Sequence, residues 1–130
     1  MKQKTLNSKA ANEPKEIIFN DQKIQINDVF YSSWGYEQTN IDFYQVMDIK
    51  GSKTLVLRRI CATSVSERMS GEKVPLVGDF YDEELITRRL LKGGSKATVR
   101  ISDCEYAYFM KYSLVQGVKL YKGKEFTSYY

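Results

Sequence analysis

Phe43–Ile60 reads FYQVMDIKGSKTLVLRRI. Phe43, Gln45, Met47 and Ile49 share one parity, and Tyr44, Val46, Asp48 and Lys50 share the other. Gly51 and Ser52 interrupt the run, and Thr54–Ile60 resumes it with Leu55, Leu57 and Arg59 opposite Val56, Arg58 and Ile60. Successive side chains of a strand point to opposite faces, so a period of two over this length is a strand signature. Two such runs about a glycine-containing gap predict a β-hairpin.

The same reading extends outward in both directions. Upstream, Glu16–Phe19 is a short strand ended by the turn formers Asn20 and Asp21, and Ile24 and Ile26 alternate with polar residues before Asn27 and Asp28 punctuate the chain ahead of Val29–Tyr31. Downstream, Ala62–Ser66 extends the second arm, and Glu67–Lys73 reads as a loop, with Ser70 and Gly71 among charges. Pro75–Gly78 is extended. Tyr81–Leu91 has two readings. It is a short helix, with Asp82, Glu83 and Glu84 near its start and Lys92 near its end to suit the dipole, or a strand centred on Ile86 and Thr87. Lys96–Ile101 alternates again and sets Lys96, Thr98 and Arg100 on one exposed face. In Tyr106–Val115 the residues Tyr106, Tyr108, Met110 and Tyr112 share a parity. About six strands joined by short turns predict a mainly β chain: a small barrel or a strongly curved antiparallel sheet, with the short helix as an option.

Composition bounds the rest. With 130 residues, 42% apolar and 13% aromatic, the chain suits one packed domain, and intrinsic disorder of the whole is excluded. Residues 1–15 read as a disordered tail and 16–130 as the single mainly β domain. No apolar run approaches a membrane span and no apolar stretch follows the N-terminal lysines, so a soluble cytoplasmic chain without membrane contact is expected. Cys61 and Cys104 read as free, buried small hydrophobes.

The absence of histidine removes the commonest general base and the commonest neutral metal ligand. Cys61 and Cys104 have no partner cysteines at ligand spacing, and Gly93–Lys96 lacks the leading glycine of a phosphate loop. No metal site and no cofactor are expected. Carboxylate chemistry stays open as a minor reading through Glu37 and Asp42, or through Asp79, Asp82, Glu83 and Glu84, whose ordinary reading is a solvated acidic patch. An enzyme is less expected than a binding module.

Two candidate surfaces stand out. The first is Trp34, Tyr36, Gln38, Asn40, Asp42, Phe43 and Tyr44, where amides, a carboxylate and a phenol sit beside large rings. This is the make-up of a protein-contact surface and also of a well-specified turn. Asn40 can bond its own backbone, and Gly35 can supply a positive φ. The second is basic and aromatic. Leu85–Ser102 carries Arg88, Arg89, Lys92, Lys96 and Arg100 with no acid, and Lys111–Lys124 carries Lys111, Lys119, Lys122 and Lys124. Tyrosines 31, 36, 44, 106, 108 and 112 interleave with Arg58, Arg59, Arg100 and Lys111, a mixture of stacking platforms and cations suited to single-stranded nucleic acid. Arg58, Arg59, Arg88, Arg89, Lys96 and Arg100 are its candidate contacts, and a net charge of +4 with a pI near 9.0 permits such a partner without requiring it.

Ser32–Val46, SSWGYEQTNIDFYQV, resembles a motif of small uncharacterised proteins from phages and mobile elements of Gram-positive bacteria. The resemblance continues through Leu57, Arg58 and Ile60, through Ile86–Arg89 and into Thr127–Tyr130; it departs at Ser128, where the family pattern has a tryptophan. It implies an SH3-like barrel, a fold serving nucleic-acid and protein ligands alike, and an accessory setting in which small proteins bind DNA or host enzymes. It carries no catalytic residue, and the leading expectation is a non-catalytic module of a mobile element that binds or inhibits a protein, with nucleic-acid binding through the basic aromatic face as the alternative and a carboxylate-based enzyme as the second alternative.

Overall fold

A computed structural model describes residues 15–19, 22–35, 40–67, 70–91, 96–103, 105–121 and 123–127. These residues are mainly β. In chain order the strands are β1 (Glu16–Phe19), β2 (Gln22–Gln25), β3 (Val29–Trp34), β4 (Asn40–Lys50), β5 (Thr54–Glu67), β6 (Ser70–Arg89), β7 (Thr98–Ser102), β8 (Glu105–Phe109), β9 (Tyr112–Val115), β10 (Val118–Tyr121) and β11 (Lys124–Thr127). They form three antiparallel sheets. Two are hairpins, β1–β2 and β9–β10, and the third has seven strands in the order β11-β6-β5-β4-β3-β8-β7.

The hairpin at Phe43–Ile60 is β4–β5. Lys50 pairs with Thr54 across a turn in which Gly51 adopts φ 67°, the left-handed region that a residue without Cβ enters freely. A register shift between Val46 and Asp48 adds a residue to β4. Strict alternation would group Ile49 with Phe43. The bulge instead returns Ile49 to the face of Tyr44 and Val46, where it packs with Leu55 and Leu57.

Both faces of the central strands are covered. On one face Phe30, Tyr44, Val46, Leu57 and Phe109 pack with Ile17 and Ile24 of the β1–β2 hairpin, and Phe30 meets Phe109 edge-on at 5.8 Å. On the other, Val29, Ile41, Phe43, Ile60 and Met110 pack with Phe80 and Tyr121. Each such fully buried side chain contributes about 1.5–3 kcal/mol relative to exposure.

A polar joint ties the β9–β10 hairpin to this second face. Asp28, at 0% exposure, accepts the Gln25 N–H at 2.7 Å and is ion-paired with Lys119 of β10. Next to it, Gln45 Nε2 donates to Asn27 Oδ1 at 2.8 Å, while the Gly78 N–H donates to Gln45 Oε1 at 2.8 Å. One buried glutamine amide thus pins both a turn and the bend of β6.

The expected barrel is not formed. The seven-stranded sheet is open, with β11 and β7 as its edges, and is neither closed nor strongly curled, so an SH3-like barrel does not describe it. Closure needs a ladder between edges. Here a single isolated bridge, Leu90 to Val99, is what β7 makes with the chain leaving β6. The optional helix over Tyr81–Leu91 is also corrected: β6 runs through it, pairing Leu85 with Arg58, Ile86 with Leu57 and Arg89 with Thr54. Two neighbouring apolar strand residues, Leu55 and Leu57, outweigh a segment that offers no apolar helical stripe. The loop expected at Glu67–Lys73 is likewise strand from Ser70 onward, paired to β5 and β11. Of the tail expected over 1–15, residues 1–14 lie outside the described residues; Lys15 is ion-paired with Asp48 at 2.9 Å.

Candidate functional site

Trp34 lies at the end of β3, 44% exposed. Its indole Nε1 donates to Asp42 Oδ2 at 2.8 Å, and Arg59 donates to Asp42 Oδ1 at 2.8 Å. The Arg59 guanidinium in turn lies 4.0 Å from the Tyr81 ring centroid. Asn40 Nδ2 reaches back to the Trp34 carbonyl at 3.4 Å. Trp34, Asp42, Arg59 and Tyr81 therefore form one row across β3, β4, β5 and β6. Asp42, a strand residue of β4 paired with Ser32, is the clamp on a half-exposed indole.

The other residues of that candidate surface are dispersed. Phe43 is 1% exposed in the core, and Tyr44 is buried with its hydroxyl donating to Glu105 Oε2 at 3.1 Å. Burial first, then the Glu105 and Asp42 carboxylates, push the Tyr44 phenol well above its ordinary range. Tyr36 and Gln38 lie outside the described residues. Beside the row, Ile41, Arg59, Cys61, Ser64, Lys73 and Tyr81 help line a depression of about 290 Å³. Cys61 is a free thiol, raised by burial and by Asp79, which disfavours the nucleophilic thiolate; Cys104 lies outside the described residues.

The six candidate cations separate into groups. Adjacent residues of a strand face opposite ways, so Arg58 and Arg59 part company: Arg58 donates to the Asp82 carbonyl at 2.7 Å and lies 4.0 Å from the Phe80 centroid, away from Asp42. Arg88, Arg89 and Arg100 come together with Ile101, Ser102 and Asp103 around an open depression of about 440 Å³. There Arg88 donates to the Ile101 carbonyl at 2.9 Å and Arg100 pairs with Asp103 at 3.0 Å.

Lys96 lies elsewhere, on the face of the sheet opposite Trp34. Its Nζ donates to the Tyr31 hydroxyl oxygen at 2.8 Å. Tyr31 pairs with Tyr108 across β3–β8, the rings 5.7 Å apart, and Lys124 Nζ of β11 lies 4.1 Å from the Tyr31 centroid. Pairing of Thr98 with Tyr108 and of Arg100 with Tyr106 continues this face along β7–β8. The result is a strip running from Lys124 through Tyr31, Lys96 and Tyr108 to the 39%-exposed Tyr106 and Arg100, and so to the arginine depression. Burial raises the Tyr31 phenol, but the Lys96 hydrogen bond and the Lys124 and Lys96 charges outweigh it and hold the phenol below its ordinary value.

Alternation along Lys96–Arg100 and Tyr106–Tyr108 already foreshadows the far half of the strip. Lys124 is visible in sequence only as one of several lysines in a charge run, and nothing local brings it to Tyr31. The acidic cluster does not converge on a cleft: Asp82 Oδ1 accepts the Glu84 N–H at 3.1 Å, a local turn bond, and Asp79, Glu83 and Glu84 are exposed. Glu37 lies outside the described residues. Among the described residues no group of three or more His, Cys, Asp or Glu is arranged to hold a metal ion, and no helix is long and apolar enough to cross a membrane. No family model matches the chain, and no curated protein or solved structure matches it either.

Proposed function

We propose that this chain is a non-catalytic binding module whose ligand is a single strand of nucleic acid, held along the Lys124–Tyr31–Lys96–Tyr108–Tyr106–Arg100 strip. The phage or mobile-element setting implied by Ser32–Val46 belongs to the same proposal. The observation that carries it is the alignment of Tyr31 of β3 and Tyr108 and Tyr106 of β8 with Arg100 of β7, Lys96 just ahead of β7 and Lys124 of β11. Ring faces accept unstacked bases, each contributing about 1–3 kcal/mol, and ammonium and guanidinium groups follow the phosphates without reading sequence. Bases inside a duplex cannot reach rings set in a sheet face, so a single strand suits the strip better than a double one.

Replacing Tyr106 and Arg100 together with Ala tests this. Both are exposed, so the thermal midpoint should hold while affinity for a strand of about ten nucleotides falls roughly tenfold or more. Parental affinity in a folded double variant would overturn the assignment.

A second reading, a protein-contact surface at Trp34, is favoured by one observation. Trp34, Arg59 and Tyr81 are of the types that dominate binding hot spots, and the Asp42 clamp holds two of them in place beforehand. Without the ring of Phe43, which the core takes, the row offers no continuous apolar patch.

A further inference from the structure

The hydrogen bond between Lys96 and Tyr31 has a direction. An ammonium group carries donors only, so the phenol oxygen accepts and its own hydrogen remains to be donated. None of the hydrogen bonds among the described residues is donated by that hydroxyl. Lys96 Nζ lies 5.0 Å from the Tyr31 centroid, and Lys124 Nζ lies closer still. Among the described residues neither ammonium is within ion-pair distance of a carboxylate, whereas Lys15, Lys23, Arg59, Arg100 and Lys119 all are.

With the phenol oxygen taken by Lys96, what this half-buried group still has to offer is donors. Two positive charges and a free hydroxyl hydrogen converge where a sheet face could otherwise have supplied a carboxylate. The complementary chemistry is an oxyanion, and one of charge near −2 matches two ammonium groups better than a backbone diester of charge −1. The same two ammonium groups, against the opposing effect of burial, hold the Tyr31 phenol below its ordinary value. Tyr108, tilted 46° against Tyr31, stands beside the seat as a platform for the base next to such a group.

Resting on the single-strand reading above, we infer that Tyr31, Lys96 and Lys124 seat the terminal phosphate monoester of the strand, so that the module prefers phosphorylated ends. The shared chemistry is a terminal phosphate at either end, and the probes separate the two. Labelled strands of one sequence, carrying a 5′-phosphate, a 3′-phosphate or hydroxyls at both ends, are titrated against the full chain and against Lys124→Gln and Tyr31→Phe. One phosphorylated form should bind roughly tenfold tighter than the hydroxyl-ended strand. Lys124→Gln should erase that preference, weakening binding of the phosphorylated strand roughly tenfold more than binding of the hydroxyl-ended one. Tyr31→Phe, which keeps the ring, should reduce the preference even if Lys124→Gln proves unstable. Equal binding of all three strands by the parent overturns the seat and leaves the strip standing; binding of none of them overturns both.

Discussion

Lys96 and Tyr31 meet at 2.8 Å although 65 residues of chain separate them, and this bond fastens the segment ahead of β7 to the middle of β3. It orients a ring that a second cation, Lys124, also approaches. A tyrosine with a cation on its hydroxyl and another over its ring is held in one position, and it in turn steadies the neighbouring Tyr108 ring.

The tyrosines divide by sign on titration. Burial first, then neighbouring carboxylates, raise Tyr44, and burial followed by Asp28 and Tyr112 raises Tyr121. A phenol raised in the folded state contributes its full share below about pH 10 and loses it as pH climbs further, because the unfolded chain releases the proton first. Tyr31 is lowered, so its contribution has the opposite sign: it is present above the unfolded value and lost as pH falls through the folded one. Thermal midpoints should fall steeply above about pH 10, and Tyr44→Phe should make that fall shallower. Identical slopes for parent and variant would count against the raised Tyr44.

Trp34 is the single tryptophan, and the strip occupies the other face of the sheet. Binding of an oligonucleotide should therefore leave its emission nearly unchanged at saturation. Pronounced quenching or a wavelength shift would locate the ligand on the Asp42–Arg59 row instead.

Asp42→Ala should lower unfolding stability by about 1 kcal/mol, since the indole N–H and a partly exposed guanidinium each lose an acceptor but can turn to water. Urea titration of parent and variant measures it. No change at all would mean that the row is not held together as its geometry implies.

Asp28→Ala should be far more damaging, by about 3 kcal/mol, because it removes the acceptor of a buried N–H and strands the Lys119 charge. The β9–β10 hairpin should loosen first. Amide exchange in Tyr112–Tyr121 that is no faster than the parent's would contradict this role for the pair.

Much of the architecture is written in local pattern. Alternation over Phe43–Ile60 gives the central hairpin, and the same rule applied to Arg58 and Arg59 requires that two adjacent arginines cannot share a face. What local pattern does not carry is closure, bulges and distant partners. The extra residue at Met47 and Asp48 moves Ile49 to the other core, and no sequence signal marks it. The Tyr81–Arg89 segment takes its strand form from pairing with Leu55 and Leu57 rather than from its own propensity. Around Trp34, residue types suggest a surface, yet Phe43 and Tyr44 are claimed by the two cores, a division that depends on both faces of the sheet being covered. Tyr108 and Arg100 follow from parity, whereas Lys124 reaches Tyr31 because β11, paired with β6, also packs back against β4, a tertiary approach that no local pattern carries.

The most direct measurement is fluorescence anisotropy of labelled single- and double-stranded oligonucleotides titrated with the full chain at about 50 mM and about 200 mM salt. The single strand should bind more tightly than the duplex, with affinity that falls steeply as salt rises. Absence of binding to either form at low salt, or equal affinity for both, would contradict the single-strand reading.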